Sequence, residues 1–352
     1  MITPHEFAAR SAIANTLSLH SRGVDRADAN LLGAAYHPDA KVDYGFFAGP
    51  AATLVEILAA AQKTALPTAH RTSNMWIRVD GDTATSESYV IAYVEEAELQ
   101  RMVFGRYLDT HALRDGEWRL THRTYVLDGN SNRPNTAVRS DPPVALDHYV
   151  PAGAKSAADP GRALLAFHAA SARGTAMTST DHSQTALDAA LAKAEIHDLC
   201  MAYARGVDRA DEALLASIFS EDSTVISGVV NGSGEDFARD ITAFVRSNLE
   251  MCFHSVANEW VDIRGDEAVG EHYALAQMVQ AGPEGLTEVL TGGRYIDRYV
   301  KREGKWLIQS RTFVADWSHS HPSTMQSDGF YEALTNRGCF GREDPIYAHW
   351  AA

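Results

Sequence analysis

At 352 residues, 45% hydrophobic and 22% charged, the chain is about twice the usual domain length and ordinary in composition, so two packed domains are expected. Its formal net charge of −15 opposes binding to DNA, RNA or anionic lipid, which needs clustered Lys and Arg. Three widely spaced cysteines, Cys200, Cys252 and Cys339, argue against a disulfide framework or a metal knuckle and fit a reducing compartment.

The chain opens with MITPHEFAARSAIANTL, which lacks the basic-then-apolar order of a signal peptide. No later stretch approaches the roughly 18 apolar residues of a membrane span. A soluble, cytoplasmic protein is expected. FAARSAIANTLSLHSRGV carries apolar residues at helical spacing and reads as a long helix. A short helix (ADANLLGAAY), a brief strand (KVDYGFF) and another helix follow. Three long strands then fill the rest, with turns at the GD of SNMWIRVDGDTATSESYVIAYVE and the RDGE before WRLTHRTYVLD. Helices first and then an antiparallel meander predicts an α+β fold, with helices on one face of a curved sheet.

The same order then starts again. RGVDRAD at 22–28 recurs letter for letter at 205–211. LLGAAYHPDAKV (31–42) faces LLASIFSEDSTV (214–225), and TAHRTSN (68–74) faces CFHSVAN (252–258). GRYLD (105–109) faces GRYID (293–297), and HRTYVLD (122–128) faces SRTFVAD (310–316). The second copy carries extra residues in AGPEGLTE (281–288), a Gly/Pro turn between strands. ADPGRALLAFH (158–168) corresponds weakly to EDPIYAHWAA (343–352). A repeat this long is a duplicated domain rather than a solenoid unit. The expected boundaries are a first domain over 1–170, a small, polar linker over 171–184, and a second domain over 185–352 that includes the C-terminal tail.

Helix–VDRxD–helix, then a His about 45 residues later and a terminal strand bearing Arg, resembles the SnoaL-like branch of the nuclear-transport-factor-2-like superfamily. The resemblance spans essentially the whole chain, twice, and implies two tandem cone-shaped α+β barrels, each with a deep apolar pocket. Within that branch the motif order resembles scytalone dehydratase, hexachlorocyclohexane dehydrochlorinase and bile-acid 7α-dehydratase, enzymes with an Asp–His dyad inside the cone. The resemblance places the Asp at Asp25 and Asp208, the His at His70 and His254, and the strand Arg at Arg123 and Arg311. The polar residue five positions before the Asp is His20 in the first copy and Tyr203 in the second.

These residue types can remove a proton from carbon without a cofactor or metal. Neutral imidazole is a base matched to pH 7, and a carboxylate on its other nitrogen fixes the tautomer. An Arg or Tyr across the pocket can hold a departing oxygen or a developing enolate. Each residue also has a plainer reading. An Asp after a helix often caps the next one, a His is often a bonded core residue, and a strand Arg often pairs with an acid such as Asp109 or Asp297. Survival of all three in both copies favours the site. Tyr203 favours the second copy, whereas His122 adds a titratable group to the first. His319 and His321 form HSHP after the last strand and read as a loop rather than metal ligands. A Cys252 thiolate paired with His254 is not matched in the first copy, which has Thr68.

The function expected is a cofactor-independent lyase that eliminates water or a small carbonyl such as formaldehyde. Its substrate would be hydrophobic and oxygenated: a lignin-derived diaryl compound, a polyphenol or a steroid. Strand aromatics Trp76, Tyr89, Trp260 and Tyr273, with His20, are expected to line the pocket. The alternatives are a ketosteroid-type isomerase or epoxide hydrolase on the same fold, and a non-catalytic ligand-binding or assembly domain. A homo-oligomer or an internal pseudo-dimer is expected.

Overall fold

The computed structural model describes residues 1–65, 68–135 and 182–351. The first copy runs α1 (Pro4–Asp25), α2 (Ala29–Ala34), β1 (Tyr36–Asp43), β2 (Ala48–Pro50), α3 (Ala51–Thr64), β3 (Thr68–Asp80), β4 (Thr83–Glu95), β5 (Leu99–Arg114) and β6 (Glu117–Pro134). The second runs α4 (His182–Asp208), α5 (Glu212–Ala216), β7 (Phe219–Ile226), β8 (Asn231–Gly232), α6 (Gly234–Asn248), β9 (Leu249–Arg264), β10 (Glu267–Gly282), β11 (Gly285–Arg302) and β12 (Lys305–Pro322). A 3₁₀ turn (Gly329–Tyr331) and a short helix α7 (Pro345–Ala351) complete the tail. Four long strands close each copy where three were expected, because each of the two hairpin turns joins a separate pair. Helix α4 begins at His182, inside the stretch read as linker; 171–181 and 158–168 lie outside the described residues. β12 continues through the HSHP motif, so His319 and His321 are strand residues.

Each copy is a six-stranded sheet, ordered β2-β1-β6-β5-β4-β3 and β8-β7-β12-β11-β10-β9. Only the β1–β6 and β7–β12 pairs are parallel. The curl of such a sheet makes the cone, and the helices close its open side. Among the described residues no helix is long and apolar enough to cross a membrane.

Local chemistry explains the helices. Thr3 and Glu6 form a capping box ahead of Pro4. α1 then buries Ala9, Ile13, Leu17 and Val24 at helical spacing. The second aspartate of VDRAD is the cap: Asp28 and Asp211 accept the backbone N–H of Leu31 and Leu214 at 3.0 and 3.1 Å. The first aspartate, Asp25 or Asp208, bonds instead to a histidine on the facing strand. In α6, Ser233 caps Asp236 N–H and Phe237, Ile241 and Val245 face inward.

The copies pack on each other through strands β3, β4 and β5 on one side and β9 and β10 on the other. Tyr89, Ile91 and Phe104 of the first copy meet Met251, Phe253 and Val279 of the second in one apolar cluster. Beside it lies a buried ion network. Arg106 reaches Glu87 at 3.1 Å, Asp128 at 2.9 Å and Asp344 at 2.7 Å. Arg205 bonds Glu87 at 2.6 Å, and Arg209 bonds Asp128 and Asp344 at 2.9 and 3.2 Å. Three guanidinium groups thus face three carboxylates, so the buried charges cancel.

Asp344 comes from the tail. Residues after β12 leave the second copy and pack on the first: Tyr331 and Leu334 join its core beside Tyr44, Tyr107 and Tyr125. Leu127 N–H donates to Asn336 O at 2.9 Å, and Gly338 N–H returns the bond to Leu127 O at 2.8 Å. Gly338 passes so close to the ion network that a β-carbon there would collide with Asp128 Oδ1. α7 then lays Ile346 against Leu108 and Val126. The tail expected to belong to the second domain therefore serves both: Phe340 packs on the second core and Tyr347 donates to Asp211 at 2.7 Å, while Tyr331 and Leu334 complete the first.

Burial opposes the Asp344 charge, but Arg106 and Arg209 hold its pKa well below the usual carboxylate range. Removing it leaves two buried guanidinium groups short of an acceptor. Asp344→Ala is expected to destabilise the protein by about 3–5 kcal/mol, read by urea unfolding at neutral pH.

Two histidines of the first core are held neutral. Burial, with Arg123 and His70 nearby, lowers His20 well below its ordinary value, and burial lowers His111 to about 4. The unfolded chain binds these protons at about pH 6.5 and the folded chain does not. Stability is therefore present above pH 6.5 and falls as the pH drops toward 4, by up to about 3 kcal/mol for His111 alone. Urea midpoints measured from pH 7 to pH 4.5 should fall, and His111→Gln should flatten the slope.

Candidate active site

Asp208 ends α4, and His254 lies on β9, against which that helix packs. One Asp208 oxygen accepts the His254 backbone N–H at 2.8 Å; the other accepts ring Nδ1 at 2.6 Å. The first copy repeats this with Asp25 and His70 at 2.9 and 2.7 Å. A ring held this way has its plane and tautomer fixed, with the proton on Nδ1 and the lone pair on Nε2. Burial works against the Asp208 charge, yet the facing imidazole, its hydrogen bonds and Arg209 keep its pKa below the ordinary value.

The copies differ in what the histidine faces. His254 opens on a cavity of about 410 Å3 walled by Val207, Phe237, Ile241, Val245, Met278 and Phe313. Tyr203 and Tyr295 also line it. Burial raises both phenols above their ordinary value, so both are protonated donors. Tyr203 stacks on Phe237 with centroids 5.8 Å apart and meets the Tyr295 edge at 5.3 Å. In the first copy Tyr44 and Leu127 stand where the second has Ser227 and Ala315. Tyr44 stacks on Tyr125 at 5.7 Å, and Tyr331 and Leu334 of the tail pack into the same core. His20 is tied to the Tyr36 hydroxyl at 2.9 Å and is buried against the Tyr107 ring. Its dyad is intact, but its cone is filled.

Arg311 and Arg123 are not at the cavity surface. Arg311 bonds Asp297 through Nε and Nη2 at 2.9 and 2.7 Å, and Arg123 bonds Asp109 at 2.7 and 2.7 Å. The Arg311 guanidinium lies 4.2 Å from the Tyr203 ring and 4.4 Å from the Tyr295 ring. The expectation that these arginines hold a departing oxygen directly is thus corrected: the charge sits behind the phenol rings and acts through them.

The strand aromatics are also placed elsewhere. Ala276 and Met278 of β10 face the cavity, so Tyr273, of opposite parity, points outward. Its counterpart Tyr89 packs on Phe253 between the copies. The β9–β10 register shifts between Glu271 and Tyr273, where Asn258 adopts a φ of 47°. Trp260 lies beyond that bulge and is exposed, and Trp76 packs on Trp350 and Arg205. Cys252 lies 3.7 Å from His254 Nδ1, but burial and Asp208 push its pKa up, so it is a thiol rather than a nucleophile.

Two residues carry more than their sequence signal suggested. Tyr295 follows the arginine of the repeated GRY motif, and that adjacency could have marked it. Asn74 ends the repeated TSN/VAN stretch and belongs to the first copy. Its amide donates to His254 O at 2.7 Å and accepts Val256 N–H at 2.7 Å. Arg209 holds Cys252 O at 3.0 Å. The backbone bearing His254 is therefore pinned on both sides.

The SnoaL-like domain family matches the chain twice, over residues 5–124 and 188–312. No curated protein matches it. Among solved structures, the hexachlorocyclohexane dehydrochlorinase LinA-type3 of Novosphingobium barchaimii is 24% identical, covering 38% of this chain and 93% of its own, with a TM-score of 0.36. A putative scytalone dehydratase of Novosphingobium aromaticivorans is 23% identical, covering 35% and 86%, with a TM-score of 0.33. The Kfla4162 protein of Kribbella flavida is 18% identical, covering 36% and 92%, with a TM-score of 0.34. With two matched regions, two six-stranded α+β sheets and the repeated Asp–His pair in place, the chain belongs to the SnoaL-like domain family as a tandem duplication.

Proposed function

We propose that the second copy is a cofactor-independent lyase for a hydrophobic, oxygenated substrate, and that the first copy is its structural partner. The observation that carries this reading is one geometry: an Asp-oriented imidazole and two free phenols facing one apolar cavity of about 410 Å3. His254 Nε2 takes a proton from the carbon next to a carbonyl or aryl group. The C–H electron pair forms the new C=C bond, and the β-oxygen leaves with a proton from Tyr203 or Tyr295 as water. Asp208 stabilises the imidazolium that results. Loss of formaldehyde uses the same parts: His254 takes the hydroxyl proton, and that oxygen forms the C=O of formaldehyde. The C–C pair becomes the new C=C bond as the β-oxygen leaves as water with a proton from Tyr203 or Tyr295. The size and apolar lining of the cavity suit a polyphenol, a lignin-derived diaryl compound or a steroid.

A carboxylate base of the isomerase kind is disfavoured, because Asp208 is fully buried behind His254.

The test is turnover of hydroxylated diaryl and polycyclic compounds followed by mass spectrometry without added metal or nucleotide. His254→Ala is expected to lower kcat by about 10²–10⁴, while His70→Ala leaves it near wild type. Equal losses in both variants would place work in the first copy as well. Asn74→Ala, a change in the silent copy, is expected to reduce kcat several-fold by loosening β9, with little change in KM.

A further inference from the structure

Outside the cavity, one cluster of the second copy has no counterpart in the first. His197 and Cys200 on α4, Glu259 on β9 and His272 on β10 stand where the first copy has Ala14, Leu17, Met75 and Ser88. Four side chains of the kind that hold zinc stand in place of Ala, Leu, Met and Ser, all at one place in the fold. The ligand atoms of Cys200, Glu259 and His272 lie within 4.8 Å of one another.

The hydrogen bonds fix the state of His272. Tyr299 donates its hydroxyl proton to Asp297 at 2.6 Å, so its oxygen must accept from His272 Nε2 at 2.8 Å. Nε2 therefore carries the proton, and in neutral imidazole Nδ1 is a bare lone pair. Nδ1 is fully buried, has no hydrogen-bond partner, and faces Glu259 Oε2 at 3.6 Å. That distance is too long for a hydrogen bond. It suits two ligands of one tetrahedral ion, whose donors about 2.1 Å from the metal lie ~3.4 Å apart. A buried Nδ1 facing a carboxylate calls for a positive charge there, either a proton on the ring or a metal ion between the two.

We propose that Cys200, Glu259 and His272 bind one divalent cation of the zinc class. The surroundings supply what such a site needs. Tyr299 and Asp297 orient the far side of His272. His197 Nδ1 bonds the other Glu259 oxygen at 2.8 Å, and Arg311 Nη2 donates to Cys200 Sγ at 3.5 Å. Entry is through the groove between α1 and α4, about 440 Å3 in volume and lined by His197 and Glu259. The ion would clamp α4 to β9 and β10, holding the helix that carries Tyr203 and Asp208. The site is independent of which reaction the cavity catalyses.

The full-length chain, stripped with a chelator and titrated with Co2+, tests this. The expected result is close to one ion per chain, with a thiolate-to-cobalt charge-transfer band and a raised unfolding temperature. Zn2+ should displace the cobalt and abolish the band. Cys200→Ser should lose the band and weaken Zn2+ binding by about 100-fold or more, while Cys252→Ser keeps both. Absence of a thiolate band in the unmodified, folded protein overturns the proposal. So does a band that follows Cys252, which would place the ion on the Asp208–Cys252–His254 group instead. Because the unmodified chain gives the primary reading, a misfolded variant does not obscure the result.

Discussion

One carboxylate joins helix to sheet in each copy. Asp25 or Asp208, at the end of a long helix, accepts two donors from one histidine on the facing strand, the backbone N–H and the ring N–H. These two bonds satisfy much of a carboxylate buried at that depth, with the Thr68 hydroxyl adding a third to Asp25 at 3.1 Å, and they fix the ring. The angle between helix and sheet, the mouth of the cone and the direction of Nε2 all follow from it. The pair is thus a structural joint as well as a chemical one, which explains why it persists in a copy whose cone has closed.

Around this common joint the copies have taken opposite courses. The second keeps small side chains, Ser227 and Ala315, at the mouth and retains a cavity. The first carries Tyr44 and Leu127 at those positions and receives Tyr331 and Leu334 from the tail. Its outer face then serves its neighbour, through the amide of Asn74 and the carboxylates of Glu87 and Asp128.

Much of this was legible in the residues alone. The repeat, the helices and the Asp–His–Arg set all rest on local patterns: VDRAD, the heptad-like apolar spacing of α1, and the matching TAHRTSN and CFHSVAN stretches. What was not legible depends on geometry with no local signature. The bulges at Asn74 and Asn258 shift strand register and turn Trp260 out of the cone. Arg311 looked like a pocket residue, yet Asp297, two strand positions from Tyr299, holds its Nε and Nη2 edge. The tail read as belonging to the second domain because it follows that domain in the chain. Chain order says little about which core a segment completes.

That tail has a consequence for biosynthesis. The first copy emerges from the ribosome before the second, but its core includes Tyr331 and its buried ion network includes Asp344, both of which follow the second copy in the chain. It must wait, incomplete, while the second copy is translated; the contact between Arg106 and Asp344 spans 238 residues. Synthesis in chain order thus leaves the earlier domain open until the later one has been made, and loss of Tyr331 or Asp344 is felt at the opposite end of the duplication.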